Sequence, residues 1–167
     1  MRVPRLRPYQ IVLEALCLIF IIAGLVFTLI KYPSLPAEIP GHYNAAGQVT
    51  DYSGKGFIWL LEGINIAMYA MMTVFLFIPA VIENPNTTWP MNPAAKAATA
   101  AQTISLLGET KLECVLMFDY MLIPIVNCTP MNTWPIWGIV GVMAVGITLR
   151  MIKMHKVSVM TRRPWER

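Results

Sequence analysis

Charged residues are scarce in this chain of 167 residues. Asp, Glu, Lys and Arg together make up 13%, against roughly 25% in an ordinary globular protein. So few charges cannot coat a water-facing surface of this size, which excludes a typical soluble domain. Cysteine is scarce too. Cys17, Cys114 and Cys128 form no CxxC pair and leave an odd one over, which argues against a disulfide framework or a zinc site. Two of the three lie in apolar runs, where a thiol behaves as a small hydrophobe. The sequence also lacks HExxH, GxSxG and P-loop motifs, any internal repeat and any low-complexity tract. No catalytic residue, metal set or cofactor is expected, and an enzyme is the less favoured class.

What the chain has instead is apolar sequence, 56% of it, gathered into long runs. The first, Ile11 to Ile30, is interrupted only by Glu14. At 1.5 Å per residue such a run covers the ~30 Å hydrocarbon core of a bilayer. A cleavable signal peptide has a shorter apolar region with a small-residue cleavage site after it; here Lys31-Tyr32-Pro33 follows, so a retained helix is expected. The second run, Phe57 to Ile82, carries Glu62, Asn65 and Pro79 and is long enough to span with tilt. A third span is expected at Ser105 to Cys128, after an alanine-rich amphipathic approach over Ala94 to Thr103. The fourth, Trp134 to Ile152, has Trp134 and Trp137 at one end and Arg150 with Lys153 at the other, the residue types of membrane interfaces. The fold class these runs predict is an all-α integral membrane protein, a single membrane domain over 1–167. Its four transmembrane helices would lie at 11–30, 57–82, 105–128 and 134–152, with an ordered outer loop at 31–56.

The net charge of +4 does not point to nucleic acid, because of where the charge sits. Arg2, Arg5 and Arg7 precede the first run, and Arg150, Lys153, Lys156, Arg162, Arg163 and Arg167 follow the last. Basic residues banked there set topology and attract anionic lipid headgroups. With the N-terminus inside, the cytoplasmic pieces hold these residues and Lys96, and the outer pieces hold only Lys31 and Lys55. A multi-pass protein of the cell membrane with both termini cytoplasmic is expected, with membrane lipids among its partners.

The loop between the first two runs has the chemistry of an ordered turn. Pro33, Pro36 and Pro40 fix φ and hold their predecessors extended. Asn44 and Gly47 suit turn positions, and Leu35, Ile39 and Tyr43 offer apolar handles for docking on the helices. Loops of this length without helical periodicity are usually functional or disordered, and this composition favours function. The stretch closely resembles the signature of a bacterial membrane domain family of unknown function, which also forms the N-terminal part of SdpI-type immunity proteins. That pattern is leucine-proline, two variable residues, isoleucine-proline, a residue, histidine, an aromatic, asparagine, then glycine, an acidic residue and lysine. Here it reads Leu35-Pro36, Ile39-Pro40, His42-Tyr43-Asn44, Gly47, Asp51 and Lys55. The resemblance implies a sensing or toxin-immunity-like role, with an extracellular peptide or another membrane protein as partner.

Two groups of polar residues invite chemistry. His42 is either a ligand contact, pH sensor or metal ligand, or a brace that bonds to backbone carbonyls or Asp51. Asp51 and Lys55 either anchor a ligand or pair with each other at the head of the second helix. Glu62 and Asp119 fall about 8 Å and about 13 Å below the outer helix ends by the rise per residue, where a carboxylate needs a partner or water. With Asn65, on the Glu62 helix face, they form either an intramembrane polar site or a set of interhelical hydrogen bonds. Glu109, Lys111 and Glu113 are expected near the cytoplasmic end, served by snorkelling or local pairing, and Gly138 and Gly141 at close-packing positions. The favoured function is therefore non-enzymatic ligand binding, sensing or immunity through the outer loop and the outer half of the bundle. The alternative is a transporter or membrane enzyme with a polar cavity lined by Glu62, Asp119 and His42.

Overall fold

The computed structural model describes residues 6–78, 82 and 93–160. Arg2, Arg5, Arg162, Arg163, Arg167 and Pro79 lie outside the described residues. Among the described residues, four helices carry the fold. α1 is Pro8–Lys31, with proline in its first turn and Lys31 in its last, both favourable positions. Its start is closed by the Arg7 N–H, which donates to the Gln10 side-chain oxygen at 2.7 Å. A 3-10 turn, Tyr32–Ser34, leads to strands β1, Glu38–Tyr43, and β2, Val49–Gly54. Then come α2, Phe57–Phe75, α3, Pro93–Asn127, and α4, Trp134–Met160.

The expectation of an all-α chain is corrected by the β1–β2 hairpin, whose antiparallel register pairs Glu38 with Gly54 and Tyr43 with Val49. Strand alternation was hidden because Pro40 and Gly41 interrupt the first strand, and the register slips on either side of His42. The turn is built by Asn44. Its side-chain oxygen accepts the Ala46 and Gln48 N–H groups, each at 3.0 Å, leaving Gly47 to take a positive φ of 78°.

Among the described residues, three helical segments are long and apolar enough to cross a membrane: Pro8–Ser34, Phe57–Phe75 and Trp134–Lys156. The chain distributes its residues as membrane proteins do. Leu18, Ile19, Ile22, Val26, Leu29 and Ile30 of α1 are exposed, whereas Gln10, Thr28, Glu62, Asn65 and Lys111 are buried. α3 is not among these three, since Glu109, Lys111, Glu113 and Asp119 dilute its apolar character. It is also longer than expected, 35 residues or about 52 Å at the usual rise, because the alanine-rich approach and the expected span form one helix. α3 is the common neighbour: α1, α2 and α4 all pack against it. α4 lies at the edge, none of its apolar window being buried. The close packing expected at Gly138 and Gly141 is absent, as a side chain there would meet nothing within 4 Å.

The hairpin is seated on the end of α3. Leu35, Ile39 and Ile58 form one buried cluster with Leu122, Ile125 and Val126. The Met131 N–H donates to the Gly47 carbonyl at 2.7 Å, and a Cβ at Gly47 would collide with the Met131 carbonyl oxygen. Gly47→Ala combines a positive φ with that collision, and is expected to destabilise the protein by about 1–3 kcal/mol. Equilibrium unfolding in detergent measures this, and an unchanged midpoint would contradict the seating.

Candidate functional site

Two layers of polar side chains cross the bundle, each joining α1, α2 and α3. In the first, the Thr28 hydroxyl of α1 donates to Glu62 Oε1 of α2 at 2.7 Å. One turn further along α2, Asn65 Nδ2 donates to Asp119 Oδ1 of α3 at 3.1 Å. Asp119 lies against Gly24, where a Cβ would come within 2.9 Å of its Oδ1. The absence of a side chain at Gly24 is what admits the carboxylate between the helices. The structure therefore brings Glu62, Asn65 and Asp119 together as sequence reasoning grouped them, with Thr28 and Gly24 as members it missed.

The second layer was not anticipated. Lys111 of α3 is completely buried, and its ammonium contacts Glu14 Oε1 of α1 at 2.5 Å. It also donates to Thr73 Oγ1 of α2 at 3.0 Å and lies 4.8 Å from the centre of the Tyr69 ring. The Tyr69 hydroxyl donates to Glu14 Oε2 at 3.1 Å. Lys111 thus reaches across the bundle rather than snorkelling, because its side chain has a carboxylate of another helix within reach and no path to water. The available signal was a lone carboxylate in the first apolar run and a lone cation in the third. Glu109, in contrast, is paired with Arg150 of α4, Nε to Oε2 at 3.1 Å. The two layers are about 10–12 Å apart along α2 and α3 by the rise per residue.

Beside Asp119, a groove of about 500 Å³ opens between α1, α3 and α4, with walls that include Phe20, Phe27, Leu116, Asp119, Leu122 and Ile123. Its surface is almost wholly apolar, and His42 does not line it.

The hairpin residues divide by burial. Leu35, Ile39 and Pro40 are buried, while Pro36, His42 and Asp51 are exposed. His42 stands opposite Asp51 in the register. Among the described residues no hydrogen bond joins them and no ion pair joins Asp51 to Lys55. Asp51 accepts the Tyr52 N–H at 2.9 Å, and Lys55 lies 5.1 Å from the centre of the Tyr32 ring. The Tyr43 hydroxyl donates to the Thr129 carbonyl at 3.3 Å. Burial, then the neighbouring Cys128 and Tyr52, pushes its phenol up to about 12, so it remains a neutral donor.

The model of a family described as a domain of unknown function, DUF1648, matches residues 19–66. This interval runs from the middle of α1, through the hairpin, to just past Asn65 of α2. No curated protein and no solved structure matches the chain.

Removing one member of a buried ion pair typically costs about 3–5 kcal/mol because the other charge is left uncompensated. Lys111→Met is expected to destabilise by that order, and adding Glu14→Gln, which keeps an acceptor for Tyr69, should recover much of the loss. Unfolding of the four members of this double-mutant cycle measures the coupling; additive losses would contradict the pairing.

Proposed function

We propose that the chain is a small, non-enzymatic membrane protein that binds a hydrophobic ligand, and that it signals or protects through that binding. In this reading α3 is the fourth membrane-crossing helix, its charges satisfied within the bundle. Both termini are cytoplasmic, and the hairpin lies on the outer face of the cell membrane. The ligand is an extracellular peptide, or part of another membrane protein, entering from the outer side or through the lipid. The resemblance of Leu35-Pro36, Ile39-Pro40, His42-Tyr43-Asn44, Gly47, Asp51 and Lys55 to the N-terminal signature of SdpI-type immunity proteins supports a sensing or immunity-like role.

The observation that carries the reading is the apolar groove beside Asp119. Concave sites with mainly apolar walls and a few polar groups are the usual form of ligand sites. Leu122 is shared: it lines the groove and packs in the same cluster as Leu35 and Ile39 of the hairpin. A ligand that moves Leu122 therefore bears on the hairpin, which suits a sensor better than a passive binder.

Topology is tested by cysteine labelling in intact cells, in a background without the native cysteines. A cysteine at Ser34 should label and one at Ser158 should not; the reverse overturns the orientation. Ligand binding is tested with a photoreactive residue at Ile123 in native membranes. A discrete adduct that Ala23→Trp abolishes by filling the groove is expected. Adducts to bulk phospholipid alone, unchanged by Ala23→Trp, would contradict the reading.

A further inference from the structure

The two polar layers differ in how their charge is balanced. In one, the Lys111 ammonium meets the Glu14 carboxylate. In the other, Glu62 stands one turn from Asn65, which bonds to Asp119, and the hydrogen-bond partners of the two carboxylates, Thr28 and Asn65, are both neutral. Two oxygens in this layer are buried without a hydrogen-bond partner, Glu62 Oε2 and Asn65 Oδ1. Their side chains are 2% and 1% exposed. Both atoms are acceptors, and their residues share one face of α2 by i,i+3 spacing. Buried carboxylates persist in an apolar bundle only when paired or neutralised.

One positively charged species of small size answers both deficits, the missing charge and the missing donor. A bulky organic cation does not suit, because Glu62 and Asn65 do not line the groove; of the three, only Asp119 does. A transition metal does not suit either, since the described residues hold no cluster of three His, Cys, Asp or Glu side chains and the donors here are all oxygen. Oxygen donors of this kind favour hard ions over soft ones.

We propose that Glu62, Asn65 and Asp119, with the Thr28 hydroxyl, form a site for one monovalent cation, either a proton or a sodium-class ion, entered from the groove past Asp119. A proton on Glu62 Oε2 neutralises the carboxylate and turns that oxygen into a donor, the kind of group the Asn65 amide oxygen on the same helix face lacks. A sodium ion takes the same two oxygens as ligands and adds a carboxylate oxygen of Asp119. The site does not depend on an organic ligand in the groove, and it assigns no role to His42.

The test uses the purified wild-type chain in nanodiscs of zwitterionic lipid, weakly buffered and titrated with sodium chloride against choline chloride. Sodium uptake, proton release and the infrared bands of carboxyl groups are followed together over a range of pH. Saturable uptake of one sodium per chain with proton release identifies the sodium form. A carboxylic-acid band that is absent from Glu62→Gln, titrates with pH and ignores sodium identifies the proton form. In either case Glu62→Gln should remove the signal, and Asp119→Asn should abolish sodium uptake or shift the pH at which the Glu62 band titrates, whereas Glu38→Gln, a change at an exposed carboxylate of β1, should leave the signal unchanged. Wild-type protein with neither saturable sodium uptake nor a carboxylic-acid band that Glu62→Gln removes overturns the proposal. A signal that survives in folded Glu62→Gln overturns it as well.

Discussion

Lys111 has no exposed surface, and the carboxylate its ammonium meets belongs to a different helix, Glu14 of α1. In an apolar surrounding a charge so placed has to be matched, because neither solvent nor lipid will stabilise it. That requirement sets the register of α1 against α3. Thr73 and Tyr69 complete the set and bring α2 to the same level. Once the three helices are aligned there, the rise along each brings Gly24 and Thr28, Glu62 and Asn65, and Asp119 together one layer further on. The Glu62–Asp119 layer follows from the Lys111 layer through helix geometry, and the missing side chain at Gly24 lets it close.

The hairpin extends the same logic to the end of the bundle. Prolines and an asparagine-built turn reduce the conformational freedom that ordering must remove, and Leu35 and Ile39 supply apolar surface that docks on Leu122, Ile125 and Val126. Leu122 and Asp119 lie about one turn apart on α3, so the apolar seat of the hairpin and the polar layer are adjacent. Groove, hairpin and polar layer share a short stretch of one helix, which makes it the region where binding and conformation would be coupled.

Sequence reading located α1 and the starts of α2 and α4 well because long apolar runs with interfacial residues need no tertiary context, whereas α2 ends at Phe75, short of the expected Ile82. Glu62, Asn65 and Asp119 were legible for the same reason, as polar residues standing out in apolar segments. The extent of α3 was not, since its charges are neutralised by residues on other helices and weaken the local signal. Lys111 was misplaced on that account: nothing in its own neighbourhood indicates that Glu14, 97 residues away, will meet it. The hairpin escaped notice because Pro40, Gly41 and the register slips at His42 erase the two-residue alternation on which strand recognition depends. The burial of Leu35 and Ile39, and the exposure of His42, depend on that pairing and on the seat provided by α3.

The central claim is that α3, despite its charges, lies inside the bundle against α1 along this polar seam. A Cβ at Gly108 of α3 would stand 4.0 Å from the Cβ of Leu13 of α1, within the span of about 3.5–4.5 Å that a disulfide requires. Leu13→Cys with Gly108→Cys, in a chain whose native cysteines are replaced, is therefore the most direct measurement, made by mild oxidation in native membranes. The account predicts rapid formation of a crosslink within one chain. No crosslink, or crosslinks only between chains, would contradict it.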